Sequence, residues 1–274
     1  MADGSVRVAL LTEVFFEEQG EERLGQMLAE AKALDADIAV LPELPLNRWA
    51  PGSKEPRDED AEDLDGPRQT VLSTAAATVE IAVVGGAIIR DPDTGTRYNT
   101  ALLFGSDGAC QARYRKIHLP EEEGYWETSH YEPGRAAPEV IGDALAMPAG
   151  LQICSDVNRP QGFQILAAGG AEVVFAPRAT PPGTYDRWRL ILRANAIMAG
   201  AYVISVNRPR PENGASIGGA SLAIGPSGEV LAETTDPLVV VHLKRDTVAA
   251  ARLEYPGYLT RFPSVYAEGW DRLV

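Results

Sequence analysis

Apolar and polar positions along this chain follow two alternating periods. The run VRVALL is short and apolar, as a strand is, and is followed by EERLGQMLAEAKAL, where Leu24, Leu28, Ala31 and Leu34 recur at helical spacing. ADIAVLP then returns to a short run of β-formers, the pattern of a strand covered on both faces. This opening predicts a β-α-β unit. A second helical stretch, PRQTVLSTAAATV, leads into IAVVGGAII, RYNTALLFG and CQARYRKIHL, three strand-like runs separated by the turn signals DPDTG and SDG, so the sheet is predicted to be mixed. After a proline-rich, acidic stretch the alternation resumes with LQIC, PQGFQILAAGGA, EVVFAP, YDRWRLILRANAIMAG and AYVISVNR, and ends in the strands GASLAIGPSGEVLAE and LVVVHL. No linker, fixed-period repeat or low-complexity tract interrupts it. Residues 1–274 are therefore expected to form a single α/β domain with two similar layers.

Two segments break the pattern. The acidic loop at 53–65, within SKEPRDEDAEDLDG, favours a solvated loop, with a lid over a site as the alternative. The tail at 253–274 carries Tyr255, Tyr258, Phe262, Tyr266 and Trp270 together with two prolines, which predicts irregular chain rather than a helix. Its rings must be buried, against the chain's own body or against a second subunit.

Composition narrows the partners. A formal charge of −14 with no Lys/Arg stripe excludes nucleic acid, which is bound through basic patches that release counterions. No run is long enough to span a membrane, so a small-molecule substrate is expected. MADGSVRVALLTEV shows no basic or long apolar leader region, and two cysteines make no disulfide framework. A cytoplasmic protein with reduced thiols is the expectation.

Three residues in three places carry the chemistry. Glu43, in LPELPLNRW, lies beyond the C-terminal end of a predicted strand, where open α/β layers bind ligands; a solvated loop acid is the plain alternative. Cys154, in GLQICSDVNRPQG, stands at a strand–elbow–helix turn, with Pro160 placed to start the helix and the Ser155 N–H placed where an oxyanion forms. A buried, inert thiol is the alternative, and it is the reading for Cys110. Lys116, in YRKIHLP, ends a strand-like run and shares side-chain parity with His118. The other histidines are His130 and His242, and His118 keeps a Cys-His hydrolase open.

Each of Glu43, Lys116 and Cys154 closes a strand-like segment and is followed by a proline or polar turn: AVLPELP, YRKIHLP, LQICSD. In this order and setting they resemble the Glu-Lys-Cys triad of the nitrilase superfamily of carbon-nitrogen hydrolases. The likeness runs from VRVALL to GEVLAE and takes in RANAIMAGAYVISVNR and GGASLAIGPSGEV. It implies a four-layer α-β-β-α sandwich, an active-site cysteine, no metal or other cofactor, and a homo-oligomer built from dimers. The family's fourth acid, after the lysine motif, matches Glu127 in GYWETSHYEPG.

The roles implied are Glu43 as base, Cys154 as nucleophile, and Lys116 with the Ser155 N–H as oxyanion holders. Glu127 orients Lys116 or the leaving amine, and a lysine between two carboxylates is expected to stay cationic. The elbow CSDVNRPQG departs from many amidase-type relatives, with Arg159 before Pro160 and Gln161 where an acid is common. Its CSD nonetheless resembles the Cys-X-Asp of amidase and carbamoylase branches. A small linear amide or N-carbamoyl compound is therefore the expected substrate; a nitrile, or a non-catalytic binding protein on the same fold, are the alternatives. Arg159 and Arg178, the latter in FAPRATPPG, are candidates for a substrate carboxylate, or for tying down a loop.

Overall fold

The computed structural model describes residues 4–142 and 145–273. The chain opens with strand β1 (Ser5–Leu11), helix α1 (Gly20–Ala33) and strand β2 (Ile38–Val40), as the periodicity predicts. Then come β3 (Ala61–Glu62), α2 (Pro67–Val79), β4 (Ala82–Arg90), β5 (Arg97–Phe104), β6 (Cys110–Arg115) and the short hairpin β7 (Glu121–Glu122) and β8 (Tyr125–Trp126). The second half holds β9 (Ala149–Leu151), α3 (Gln161–Ala168), β10 (Val173–Phe175), α4 (Tyr185–Ala199), β11 (Tyr202–Ser205), β12 (Ser221–Ile224), β13 (Val230–Thr234) and β14 (Leu238–Lys244). It closes with α5 (Arg245–Leu253) and α6 (Pro263–Asp271).

The strands make two mixed sheets, one ordered β14-β1-β2-β4-β5-β6 with β3 beside β4, the other β13-β12-β11-β10-β9. Period-2 alternation assigns each side chain to a layer. Val8 and Leu10 of β1 and Val40 of β2 face inward and pack with Ala149, Leu151, Val173 and Phe175 of the second sheet. Their neighbours Ala9, Leu11, Ala39 and Leu41 face outward onto Leu24, Leu28, Leu72 and Ala76 of α1 and α2. Beyond the second sheet, Val174, Val203 and Leu222 meet Phe163, Leu166, Leu192 and Ala196 of α3 and α4. The result is the four-layer α-β-β-α sandwich. Gly150 is needed for this contact: a Cβ there would lie 2.6 Å from the Leu166 methyls of α3.

Topology delivers the site. β2 and β4 are parallel, and two antiparallel steps through β5 bring β6 back to their direction. Residues following β2 and β6 therefore emerge at one edge of the first sheet.

Two expectations need correction. The tail is helical in part: Pro263 stands at the first helical turn of α6, where the missing N–H has no partner to lose, so it starts the helix rather than breaking it. The acidic run is more than a solvated loop. Ala61–Glu62 pairs with β4, and the carboxylates of Asp60 and Glu62 are buried against Arg57 and Arg68. Helix α5, in RDTVAAARL, has no counterpart in the sequence reading.

Candidate active site

Glu43, Lys116, Glu127 and Cys154 are all buried, between 0% and 4% exposed. Leu41 extends β2 by donating to Val84 O, and the chain then turns through Leu44 in the left-handed region at φ 50°. That turn presents Glu43. Lys116 follows β6 directly; its N–H donates to Asn99 O, and its carbonyl accepts from Gly134 N. Cys154 lies past β9, where Gln152 N and Cys154 N still donate to Phe175 O and Pro177 O of the neighbouring strand's chain. The nucleophile candidate itself has φ 44°, a left-handed conformation that an L side chain adopts only when its surroundings impose it. It opens a 3-10 turn, Cys154–Asn158.

The structure brings the two acids and the lysine together. Lys116 Nζ donates to Glu43 Oε1 at 2.8 Å and to Glu127 Oε1 at 2.6 Å. An ammonium has three hydrogens, so one is left over. Asn99 Nδ2 also donates to Glu43 Oε1, at 2.8 Å. Among the described residues, Glu43 Oε2 and Glu127 Oε2 have no hydrogen-bond partner, although both are buried. Cys154 Sγ is 3.8 Å from Ala179 O.

Electrostatics explain the resting state. Burial alone would lower Lys116, but Glu127 and Glu43 overcome it and hold the ammonium above its ordinary value, cationic as expected. Glu127 is pushed up to about 8, first by burial and also by Glu43, against the pull of Lys116. Burial, followed by the charge of Glu43, raises the Cys154 thiol well above its ordinary value, with Lys116 opposing. The thiol is neutral at rest, so attack needs a base to take its proton in the same step.

The other candidates lie in varied places. Ser155 Oγ–H donates to His118 O. Arg159 is exposed, with Nη1 on Asn158 O. Arg178 is 1% exposed, and burial lowers it to about 10. Its guanidinium donates to Ser205 Oγ, Thr180 Oγ1 and Ala220 O, tying the chain after β10 to β11 and to the start of β12. No histidine bonds to the thiol: His118 Nδ1 meets Asp156, His130 Nε2 meets Ser53 O, and His242 is exposed on β14. No group of three or more His, Cys, Asp or Glu side chains suited to a metal ion occurs among the described residues.

Sequence reasoning missed Asn99, Asp156 and the pair Arg208–Glu212. Arg208 donates to the carbonyls of Glu43, Leu44 and Asn47, and so holds the strained turn that carries Glu43. The signal for Asn99 was an amide inside an apolar strand; Arg208 offered only its place at the end of AYVISVNR. A surface groove of about 540 Å³, lined in part by Phe15, Phe16, Leu46 and Arg68, includes none of the clustered residues.

A model of the carbon-nitrogen hydrolase family matches residues 13–253. The chain is 32% identical over 245 residues to a hydrolase of Mycobacterium tuberculosis, covering 84% of this chain and 85% of the relative. It is 30% identical over 257 residues to the omega-amidase of Homo sapiens, covering 89% and 90%. The fold matches a carbon-nitrogen hydrolase from Helicobacter pylori with a TM-score of 0.86, at 23% identity over 96% of this chain and 98% of the other. A mutant amidase from Nesterenkonia sp. matches at TM-score 0.73 and 26% identity, over 90% and 94% of the two chains, and carries the acetamide moiety of fluoroacetamide added covalently at its active site cysteine.

Proposed function

The chain belongs to the carbon-nitrogen hydrolase family, the nitrilase superfamily, and from that premise we propose that it hydrolyses a small linear amide or N-carbamoyl compound through a Cys154 thioester. One observation carries the reading. A neutral, buried thiol lies within electrostatic reach of a carboxylate with one unpartnered oxygen and an ammonium with one uncommitted hydrogen.

Glu43 takes the thiol proton as Sγ attacks the carbonyl carbon. The free Lys116 hydrogen and the Ser155 N–H hold the oxyanion of the tetrahedral intermediate. On collapse the C–N bond breaks, and the proton held by Glu43 leaves with the amine or ammonia. Water, deprotonated by Glu43, then attacks the thioester, and the acid and the free thiol are regenerated. Glu127 orients Lys116 and faces the departing amine; protonated up to about pH 8, it keeps the cluster from carrying two full negative charges. The omega-amidase and amidase relatives support an amide over a nitrile. A substrate carboxylate held by Arg159 or Arg178 is a further proposal, for which exposed Arg159 has the freer guanidinium.

The test is ammonia release from propionamide, succinamate, N-carbamoyl-β-alanine and propionitrile, with intact mass following an acylated protein that disappears in Cys154→Ala. Faster turnover of the nitrile than of every amide and ureido substrate would overturn the amidase reading. Equal rates for propionamide and succinamate would remove the arginine proposal.

We also assign the protein to the cytoplasm, since Cys110 and Cys154 are both free and the chemistry needs a reduced thiol. Among the described residues no helix is long and apolar enough to cross a membrane. A homo-oligomer built from dimers is supported by the tail, where Tyr255, Tyr258, Phe262, Tyr266 and Trp270 are 57–75% exposed and α6 buries no residue. Deleting 255–274 should lower the sedimentation coefficient at micromolar concentration; a monomer with and without the tail would sink the assignment.

A further inference from the structure

We propose that Asp156 is a positioning residue that fixes Lys116 relative to Cys154 across the gap between the two sheets. The proposal rests on the triad reading above. Asp156 is fully buried, two residues beyond the nucleophile. Its Oδ1 accepts from His118 N at 2.9 Å and Ile117 N at 3.2 Å, and pairs with His118 Nδ1 at 2.8 Å. Its Oδ2 accepts from Tyr114 Oη–H at 2.9 Å and Ile153 N at 3.2 Å. Four of these contacts come from residues 114–118, the segment of the first sheet that carries Lys116. The fifth comes from the residue before Cys154 in the second sheet. One carboxylate thus joins the two chains that must present an oxyanion holder and a nucleophile to the same carbonyl.

Two further observations agree. Ser155 Oγ–H donates to His118 O, so the elbow and the Lys116 segment are linked twice. Burial, with Asp156 beside it, raises the Tyr114 phenol far above its ordinary value, so it stays a donor throughout the working range. The strained φ of Cys154 needs surroundings that impose it, and the Ile153 N–H held by Asp156 fixes the peptide entering that residue. Both oxygens of Asp156 are filled by these donors. It therefore acts through Lys116 and Cys154 rather than on the substrate.

The distinction between positioning and general structural support can be measured. Acyl transfer needs the thiol and the oxyanion holders in register, whereas alkylation by iodoacetamide needs only an accessible, deprotonatable thiol. In Asp156→Asn the amide NH₂ meets the Ile153 N–H or the Ile117 and His118 N–H groups, two donors facing each other, so one side of the link is lost. For propionamide or succinamate, whichever the native enzyme turns over faster, kcat per folded molecule should fall about a hundredfold, the scale of a misplacement near 1 Å. KM and the iodoacetamide rate at Cys154 should each stay within about threefold. A kcat within about threefold of the native enzyme overturns the proposal, and so does a parallel loss of kcat and alkylation. Should Asp156→Asn fail to fold, the double variant Tyr114→Phe/His118→Ala keeps the carboxylate and removes two of its contacts. Its kcat should fall about tenfold with alkylation unchanged, and an unchanged kcat overturns the proposal. Cys154→Ala is run alongside: if it turns over substrate, the triad reading fails independently of anything Asp156 does.

Discussion

Lys116 and Arg208 are two cations buried in the same molecule, at 1% and 0% exposure, and they are treated in opposite ways. Arg208 spends all five of its N–H donors: Nε and Nη2 on Glu212, Nη1 on Glu43 O and Leu44 O, and Nη2 again on Asn47 O. Lys116 spends two of three and is flanked by carboxylate oxygens with no partner. A buried polar group left unsatisfied costs roughly 1–3 kcal/mol, so a fold tolerates several together only where something else is to be met. Satisfied ions mark the scaffold here, and unsatisfied ones mark the chemistry.

The sharpest way to break this comparison is to remove the unsatisfied side. Cys154→Ala and Glu43→Gln should each cut ammonia release by about a thousandfold or more, as groups acting as a unit do, while thermal midpoints stay within a few degrees. His118→Ala should cost about tenfold, through its contact with Asp156. A His118→Ala enzyme as inactive as Cys154→Ala, with Glu43→Gln still active, would replace the triad by a Cys-His pair.

Removing the satisfied side should act on stability first. Arg208→Met leaves Glu212 buried without its partner and should cost about 3–5 kcal/mol in urea unfolding. Arg208→Met/Glu212→Met should recover much of that stability yet not the turnover, because Leu44 loses the donor that holds its strained turn. Recovery of both would mean that Arg208 does nothing for Glu43.

A smaller effect separates the acids by pH. Glu127 titrates near 4.5 ordinarily and about 8 in the folded protein, so between those values the native state holds a proton that the unfolded chain has released. Stability must then fall as pH rises from about 5 to 8, with no such loss below that window. Lys116, raised above its ordinary value, is protonated in both states there and adds no slope. The thermal midpoint of the native protein should drop a few degrees more across this window than that of Glu127→Gln. Identical slopes would show that Glu127 titrates elsewhere.

Smallest is Tyr125→Phe. Its buried hydroxyl has no partner among the described residues, and its ring stacks edge-on against Trp49 at 5.9 Å. Stability should change by less than about 1 kcal/mol, because no bond is lost. KM for propionamide should rise about threefold if the phenol, like the free acid oxygens, meets substrate. An unchanged KM would place this orphan outside the comparison.

The unsatisfied side of the site was largely legible in the sequence, and the satisfied side was not. Glu43, Lys116, Glu127 and Cys154 announce themselves locally, because a charged or nucleophilic residue at the end of an apolar run is a departure visible within ten positions. Arg208 finds Asn47 across 161 positions and Glu43 across 165, and Asp156 finds Tyr114 across 42. No period encodes such a pairing. The tail was misread for a related reason, since Pro263 breaks or begins a helix according to its place in the first turn, which composition does not specify. Burial of Asp60 and Glu62 likewise depended on Arg57 and Arg68 arriving beside them.

Because Glu43 and Lys116 hang from one sheet and Cys154 from the other, the apolar layer between the sheets acts as a spacer with a machinist's tolerance. Trimming a residue such as Val173 in that layer should disturb turnover more than an equal trim of Leu28, which faces α1's side of the first sheet. Sequence drift in the helical layers is free to follow solubility or partner choice, while drift between the sheets is coupled to rate. An engineer seeking a sturdier enzyme would do well to repack the outside and leave the spacer alone.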